Sequence, residues 1–123
     1  MSEKTILLVE DDYLNRRLTR RVLDELGYQV VEAKNAKNAL ETLANNKIDL
    51  VILDINLGEG EMDGIDLSRQ IQDRFHIPFI YLSAYENKHF LSRANAISPS
   101  TYLTKPFKNS DLIAALETAL HLD

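Results

Sequence analysis

LVILD, residues 50–54, sets four branched apolar side chains in a row and ends them with a carboxylate. A continuous apolar run of this length is typical of a strand that is covered on both faces, as in a parallel sheet. Comparable runs occur at Ile6–Val9 and within Ile77–Leu82, and a shorter one at Tyr102-Leu103. The mixed segment Tyr28–Ala33 indicates an edge strand. The sequence therefore predicts five strands.

Apolar residues at helical spacing separate these strands, which predicts five helices. The helical patterns are Leu14, Leu18, Val22 and Leu26 before Gly27; Ala36, Ala39, Leu40 and Leu43 after a capping Asn35; Leu67, Ile71 and Phe75; Phe90, Leu91, Ala94 and Ile97; and Leu112, Ile113, Leu116 and Leu120 after a capping Ser110. Alternating strands and helices with right-handed crossovers form a parallel sheet with helices on both faces. We expect a (βα)₅ α/β fold and one domain over residues 1–123.

The composition excludes several classes of protein and of site. The chain has 123 residues, no cysteine and a net charge of −5. The absence of cysteine excludes a disulfide framework and cysteine-ligated metal sites, and it fits a reducing, cytoplasmic setting. The acidic balance argues against direct nucleic-acid binding, which depends on neutralising phosphates. The most apolar segment is too short to insert across a membrane, and the N-terminus leads into a strand rather than a signal peptide.

Polar side chains follow the predicted strands at the end where such sheets carry their chemistry. These residues are Glu10, Asp11 and Asp12 after the first strand, Asp54 after the third, Ser83 after the fourth and Lys105 after the fifth. Clustered carboxylates repel one another, and a hard cation such as Mg²⁺ relieves that repulsion. Such a cation, an amine and a hydroxyl suit phosphoryl transfer. No P-loop motif is present, so the sequence predicts no dedicated nucleotide pocket.

Together these motifs resemble the receiver domain of two-component response regulators. The segments that carry the resemblance are residues 8–12 (LVEDD), 51–57 (VILDINL), 62–64 (MDG), 80–84 (IYLSA) and 102–107 (YLTKPF). Each segment is short, but all five occur in order, and the similarity covers essentially the whole chain. The resemblance implies a flavodoxin-like, doubly wound sheet of five parallel strands in the order 2-1-3-4-5.

The resemblance also implies roles for the acidic residues. Asp54 corresponds to the phosphoacceptor, which takes a phosphoryl group from a phosphohistidine on a histidine kinase or a histidine phosphotransfer protein. Glu10 and Asp11 correspond to the acidic pair that holds Mg²⁺ (or Mn²⁺), with Asp54 and the backbone carbonyl of Asn56 as further ligands. The domain is expected to be a regulatory phosphoacceptor, which assists only its own phosphorylation and dephosphorylation.

Three further positions match residues of the family's reaction site and switch. Lys105 corresponds to the lysine that contacts the acceptor carboxylate and later the phosphoryl oxygens. Ser83 and Tyr102 correspond to the hydroxyl and the aromatic residue that respond to phosphorylation. The response changes the surface formed by the fourth helix, the fifth strand and the fifth helix, through which an output protein or domain, or a second copy of the chain, is recognised.

Two other functions are compatible with this fold. An aspartyl-phosphate phosphatase places a second aspartate two residues after the first as its general acid and base. Asn56 occupies that position here and cannot transfer a proton, which disfavours this function. A degenerate receiver would bind partners without phosphorylation, and the complete set of acidic, hydroxyl and amine residues weighs against it.

Two surface features lie outside the motifs. The loop after Asp54 lacks the family's usual proline and is about two residues longer, and three of the four glycines fall between positions 58 and 64, which suggests positive φ angles there. Arg16, Arg17, Arg20 and Arg21 form one basic face of the first helix. Solvation is the favoured interpretation of that face, and docking of an acidic stretch on the phosphodonor is the alternative.

Overall fold

The computed structural model describes residues 4–55, 63–84, 101–105 and 107–120. Five parallel strands form one sheet in the order β2-β1-β3-β4-β5, as predicted. They are β1 (Thr5–Val9), β2 (Gln29–Ala33), β3 (Leu50–Asp54), β4 (Phe79–Ala84) and β5 (Thr101–Lys105). The mixed segment forms the edge strand β2, and the run LVILD forms the central strand β3, in which all five residues are buried.

The described helices are α1 (Tyr13–Glu25), α2 (Ala36–Asn45), α3 (Gly64–Gln70) and a C-terminal helix (Asn109–Leu120). Asn35 caps α2 as predicted, because its side chain accepts a hydrogen bond from the Asn38 N–H at 2.8 Å. The predicted cap Ser110 was wrong, since it lies inside the C-terminal helix. The predicted fourth helix falls outside the described residues.

Alternation along the strands sends side chains to two separate cores. Leu7, Val51 and Leu53 face one core, which α2 and α3 cover. Ile6 and Ile52 face the other, which α1 and the C-terminal helix cover. The helices therefore lie on both faces of the sheet, as the apolar strands require.

The helix α3 continues into a π-helical turn over Ile71–Phe75, which the sequence pattern did not predict. His76 ends this turn in a left-handed conformation, with φ of 55°, and its N–H donates to the carbonyl of Ile71 at 2.9 Å. Across the part of the chain that the structure describes, no helix combines the length and the apolar character needed to cross a bilayer.

Candidate functional site

Three strands bring the predicted acidic residues and the lysine to one end of the sheet. Glu10 directly follows β1, whereas Asp54 and Lys105 are the last residues of β3 and β5. Parallel pairing places these strand ends at the same edge, so residues 95 positions apart in the chain are in contact. The site is therefore a direct consequence of the strand order.

The Lys105 amine bridges two carboxylates. Its Nζ donates to Asp54 Oδ2 at 2.6 Å and to Glu10 Oε1 at 2.7 Å. Glu10 and Asp54 are only 2% and 7% exposed, so both ion pairs are largely shielded from solvent. Pairs in such surroundings are held in a defined geometry and are weakly screened by salt.

The site contains more negative charge than the lysine can balance. Oxygens of Glu10, Asp11 and Asp54 lie within 4.8 Å of one another, and Asp11 is exposed at the mouth of the cluster. Three carboxylates face one amine, which leaves an excess of negative charge. A donor set of carboxylate oxygens alone, with one member open to solvent, fits a hard divalent cation.

This crowding changes the proton affinities. Burial of Glu10, followed by hydrogen bonding to Asp54, raises the pKa of its carboxyl to about 7, although Lys105 acts in the opposite direction. Burial alone would lower the pKa of Lys105, but its hydrogen bonds to Asp54 and Glu10 outweigh that effect and raise it. The amine is therefore charged at neutral pH, whereas Glu10 titrates near neutrality.

Asp12 belongs to the helix and not to the carboxylate cluster. Its side chain accepts a hydrogen bond from the Asn15 N–H at 3.1 Å and caps α1. This contact satisfies one of the free N–H groups of the first helical turn. The acidic run thus divides, with Glu10 and Asp11 in the cluster and Asp12 as a cap.

Several predicted site residues cannot be compared with the structure. Asn56 lies outside the described residues, as does the rest of the loop over residues 56–62. Ser83 and Tyr102 lie within β4 and β5, but their side chains are outside the described part. Their proposed roles stay predictions.

Glu32 is a residue that the sequence analysis missed. Its carboxylate accepts hydrogen bonds from Arg16 Nε at 2.9 Å, from Arg17 Nη1 at 3.0 Å and from Arg20 Nη1 at 2.6 Å. The predicted basic face is therefore not uniformly solvated, although Arg21 is highly exposed and pairs with Glu25 on the same helix. A glutamate in β2 gives no local signal that three arginines of α1 will converge on it.

The apolar pattern of α1 points mostly outward. Of the predicted residues, Leu14 and Leu18 are more than half exposed, as is the neighbouring Tyr13, whereas the buried residue of the helix is Leu23, which was not part of the predicted pattern. A groove of about 470 Å³ runs beside this face and reaches the acidic cluster. Its lining comprises Glu10, Asn15, Leu18, Thr19, Val22, Lys105, Phe107 and Asn109. The exposed stripe therefore adjoins the site.

Gly64 is packed directly beneath the end of β3. Its N–H donates to the carbonyl of Ile55 at 2.9 Å. A Cβ built on Gly64 would overlap the carbonyl oxygen of Asp54 and would lie 2.7 Å from the Cα of Ile55. Its φ is not positive, so the expected left-handed backbone is wrong at this position. Glycine is needed at this position because its backbone lies so close to the backbone of Asp54 and Ile55 that no side chain fits between them.

Curated relatives include proteins from several bacteria. The transcriptional regulatory protein PdtaR of Mycobacterium tuberculosis is 36% identical over 95% of this chain and 57% of its own length. KdpE, the KDP operon transcriptional regulatory protein of Escherichia coli, is 36% identical over 94% of this chain and 50% of its own length. The chain thus spans about half the length of these two relatives. DivK of Brucella anthropi, a polar-differentiation response regulator, is 28% identical over 95% of this chain and 96% of its own.

Solved structures have the same architecture. The signal receiver domain of an HD domain-containing protein from Pseudomonas fluorescens Pf-5 superimposes with a TM-score of 0.89 at 28% identity, covering 98% of this chain and 96% of that one. The N-terminal domain of a response regulator/sensory box/GGDEF protein from Carboxydothermus hydrogenoformans gives 0.88 at 31% identity, covering 97% and 95%. Both neighbours share the flavodoxin-like sheet with this chain.

The family model described as the response regulator receiver domain matches residues 6–117. That range contains the sheet, apart from the first residue of β1, and all four residues of the acidic and amine cluster. The chain therefore belongs to the response regulator receiver domain family, a regulatory family of two-component systems.

Proposed function

We propose that residues 1–123 form one receiver domain that accepts a phosphoryl group on Asp54 in the presence of Mg²⁺. The observation that carries this proposal is the Lys105 amine held between two buried carboxylates, beside a third that is open to solvent. The end of β3 supplies the nucleophile, the end of β5 supplies the lysine, and the end of β1 supplies the remaining acids. Phosphoryl transfer needs such positioning of a nucleophile together with groups that stabilise charge.

The chemical step forms one bond and breaks one. An oxygen of the Asp54 carboxylate attacks phosphorus and forms an O–P bond. The P–N bond of a phosphohistidine breaks, and its electron pair leaves with the imidazole nitrogen of a histidine kinase or phosphotransfer protein. Lys105 contacts the carboxylate before the reaction, so it is placed to stabilise the negative charge of the phosphoryl oxygens.

The acidic residues fit a Mg²⁺ or Mn²⁺ site. We assign Glu10, Asp11 and Asp54 as its side-chain ligands and the carbonyl of Asn56 as a further ligand. When bound, the cation neutralises charge that develops on the phosphoryl oxygens. The chain itself supplies two things. Its excess of negative charge attracts the divalent cation, and its Lys105 holds the acceptor carboxylate in place.

We assign the output to the remaining family positions. Ser83 and Tyr102 are proposed as the switch that responds to the phosphoryl group. The responding surface comprises the fourth predicted helix, β5 and the C-terminal helix, and it recognises an output protein, an output domain or a second copy of the chain. Phosphorylation adds charge and acceptor oxygens at one end of β3, and this is the kind of local change that biases a two-state surface.

Acetyl phosphate tests the proposal without any partner protein. With Mg²⁺ we expect the intact mass to increase by one phosphoryl group, as the P–O bond of the donor breaks and acetate leaves. Peptide mapping should locate the group in the segment that contains Asp54. With EDTA the increase should be absent. A mass that stays unchanged with Mg²⁺ and a large excess of donor would contradict the proposal.

The exposed face of α1 is the proposed docking site for the phosphodonor. Leu14 and Leu18 are exposed on this face, and Leu18 lines a groove that reaches Lys105 and Glu10, so a donor bound there is close to the acceptor. An apolar patch next to a reactive site is typical of a protein interface.

We expect Leu18→Asp to slow phosphoryl transfer from a cognate phosphotransfer protein at least tenfold, because it places a charge in the apolar contact. Leu26→Asp is the matched control, since Leu26 is also an exposed leucine but lies at the far end of α1, 40% exposed. Transfer from the phosphotransfer protein, quenched at set times, should proceed at the wild-type rate for the control. Acetyl phosphate should phosphorylate both variants at the wild-type rate. Equal rates for Leu18→Asp and wild type with the protein donor would exclude this docking face.

The pH dependence of stability follows from Glu10. Its pKa in the folded protein is about 7, above the ordinary glutamate value of 4.5, so the folded state holds an extra proton between these pH values. The unfolding free energy of the metal-free protein should therefore fall as pH rises from about 4.5 to 7, by at most about 1.4 kcal/mol per pH unit. Urea titrations with EDTA measure this slope.

Glu10→Gln provides the control for this prediction, because glutamine resembles the protonated acid. The variant should lose the slope and should be more stable than wild type at pH 8. Glu32, whose pKa is lowered by its arginine partners although burial opposes them, acts only at more acidic pH. A wild-type slope that persists unchanged in Glu10→Gln would assign the effect to another group.

A further inference from the structure

Arg16 connects the end of the sheet that carries the acidic cluster to the neighbouring edge strand. Its Nη1 donates to the backbone carbonyl of Glu10 at 2.8 Å, and its Nε donates to Glu32 Oε1 at 2.9 Å. The side chain is 13% exposed, although it belongs to a surface helix. A planar guanidinium that makes two such bonds is fixed in position and orientation.

The backbone of Glu10 is held on both sides. Its N–H donates to the carbonyl of Ala33 at 3.1 Å, and its carbonyl accepts from Arg16. Because the peptide unit is planar, fixing that carbonyl also fixes the N–H and the Cα of Asp11. The directions of the Glu10 and Asp11 side chains, one buried and one exposed, therefore depend on the contact with Arg16.

Glu32 is in turn held by more than one cation. Arg17 and Arg20 both bind its Oε2, and Oε1 is bound by Arg16. The carboxylate is therefore a fixed anchor for Arg16. Only Arg16 of these three arginines has a hydrogen bond to Glu10 among the contacts of the described residues.

We propose that Arg16, anchored by Glu32, is a positioning residue that sets the affinity of the acidic pair for Mg²⁺. This inference rests on the proposed function, because it assigns the pair as metal ligands. Among the contacts of the described residues, Arg16 has no hydrogen bond or ion pair to Asp54 or Lys105. It acts by fixing the turn after β1, and hydrogen-bonding partners of this kind influence metal affinity about 10–100-fold.

Arg17 offers a matched control on the same carboxylate. Its guanidinium binds Glu32 but is 52% exposed and has no hydrogen bond to Glu10 among the described contacts. We expect Arg16→Ala to weaken Mg²⁺ binding at least tenfold by isothermal titration, and Arg17→Ala to change it less than threefold. Arg16→Lys should also bind weakly, because an ammonium cannot reproduce the two-sided fork.

The rate of phosphorylation separates positioning from general damage. For Arg16→Lys and Arg16→Ala, the Mg²⁺ concentration for half-maximal uptake from acetyl phosphate should rise at least tenfold. The rate at saturating Mg²⁺ should stay within about twofold of wild type, because Asp54 and Lys105 are intact. If Arg16 had a merely structural role, the rate at saturating Mg²⁺ would fall in Arg16→Lys and Arg16→Ala, or Arg17→Ala would lose as much Mg²⁺ affinity as they do.

The outcomes distinguish the positioning role of Arg16 from the proposed phosphoacceptor function. If wild type binds Mg²⁺ and is phosphorylated, but Arg16→Ala and Arg16→Lys keep the affinity of Arg17→Ala, the positioning role is wrong and the proposed function stands. If wild type neither binds Mg²⁺ nor takes up a phosphoryl group, both are wrong. Where Arg16→Ala is unfolded, Arg16→Lys decides, since it retains the charge and most of the side chain.

Discussion

Asp54→Asn is expected to take up no phosphoryl group from acetyl phosphate at any Mg²⁺ concentration. The amide has nearly the shape of the carboxylate but lacks its nucleophilic oxygen. The substitution also removes one of the three negative charges that face Lys105, so Mg²⁺ affinity should fall together with reactivity. Intact-mass spectrometry of the variant after prolonged incubation measures the result directly.

This loss should not come from misfolding. Asp54 repels Glu10 and raises its pKa, so removing the charge relieves an unfavourable contact in the metal-free protein. We therefore expect the unfolding free energy of Asp54→Asn to equal or exceed that of wild type at pH 8. The same urea titration that follows Glu10 gives this value.

Asp73→Asn is the control for the chemistry. Asp73 is exposed on the π-helical turn and is not part of the acidic cluster at the carboxyl ends of the strands. Its substitution makes the same chemical change, from an acid to an amide. It should be phosphorylated like wild type. Uptake of one phosphoryl group by Asp54→Asn at the wild-type rate would show that the acceptor is another residue.

Much of the fold could be predicted from the chain because its strands are unusually clear. Four apolar residues before Asp54 predict a strand buried on both faces, and β3 lies at the centre of the sheet. Chemistry at the carboxyl ends then follows from topology, so the meeting of Glu10, Asp54 and Lys105 was expected and the structure brings them together. What these residues do is still a prediction.

Local patterns failed where the answer depended on distant partners. A four-residue repeat predicts a helix, but it does not say which side faces the core, and Leu14 and Leu18 point outward while Leu23 is buried. The contact of Arg16 with Glu32 joins a helix to a strand across 16 positions. Neither arrangement is encoded in spacing alone, because both depend on how α1 lies against the sheet.

Gly64 shows the same limitation at a single residue. Its place in a glycine-rich segment suggested an unusual backbone angle, whereas its actual constraint is the space left by Asp54 and Ile55. These residues precede it by about ten positions and belong to a different element. Only the packing of α3 against the end of β3 reveals that a methyl group cannot be accommodated.

We expect Gly64→Ala to destabilise the protein by roughly 3 kcal/mol, which lowers the melting temperature by roughly 10 °C. Its Cβ would overlap the Asp54 carbonyl oxygen and lie 2.7 Å from the Ile55 Cα, whereas real Cβ contacts essentially never fall below 3.0 Å. The neighbouring atoms are backbone and cannot rotate away. Either the start of α3 or the end of β3 must move, and thermal unfolding followed by circular dichroism measures the cost.

Gly27→Ala separates this effect from the ordinary cost of replacing a glycine. Gly27 follows α1 with φ of +93° and has no atom within 4 Å of a built Cβ, so alanine there is strained but meets nothing. That strain should cost about 1–2 kcal/mol and leave phosphorylation unchanged. Gly64→Ala should cost more and, because the displaced carbonyl belongs to Asp54, should also slow uptake from acetyl phosphate below its melting temperature. If the two variants lose equal stability and Gly64→Ala reacts normally, the close approach does not hold the acceptor in place.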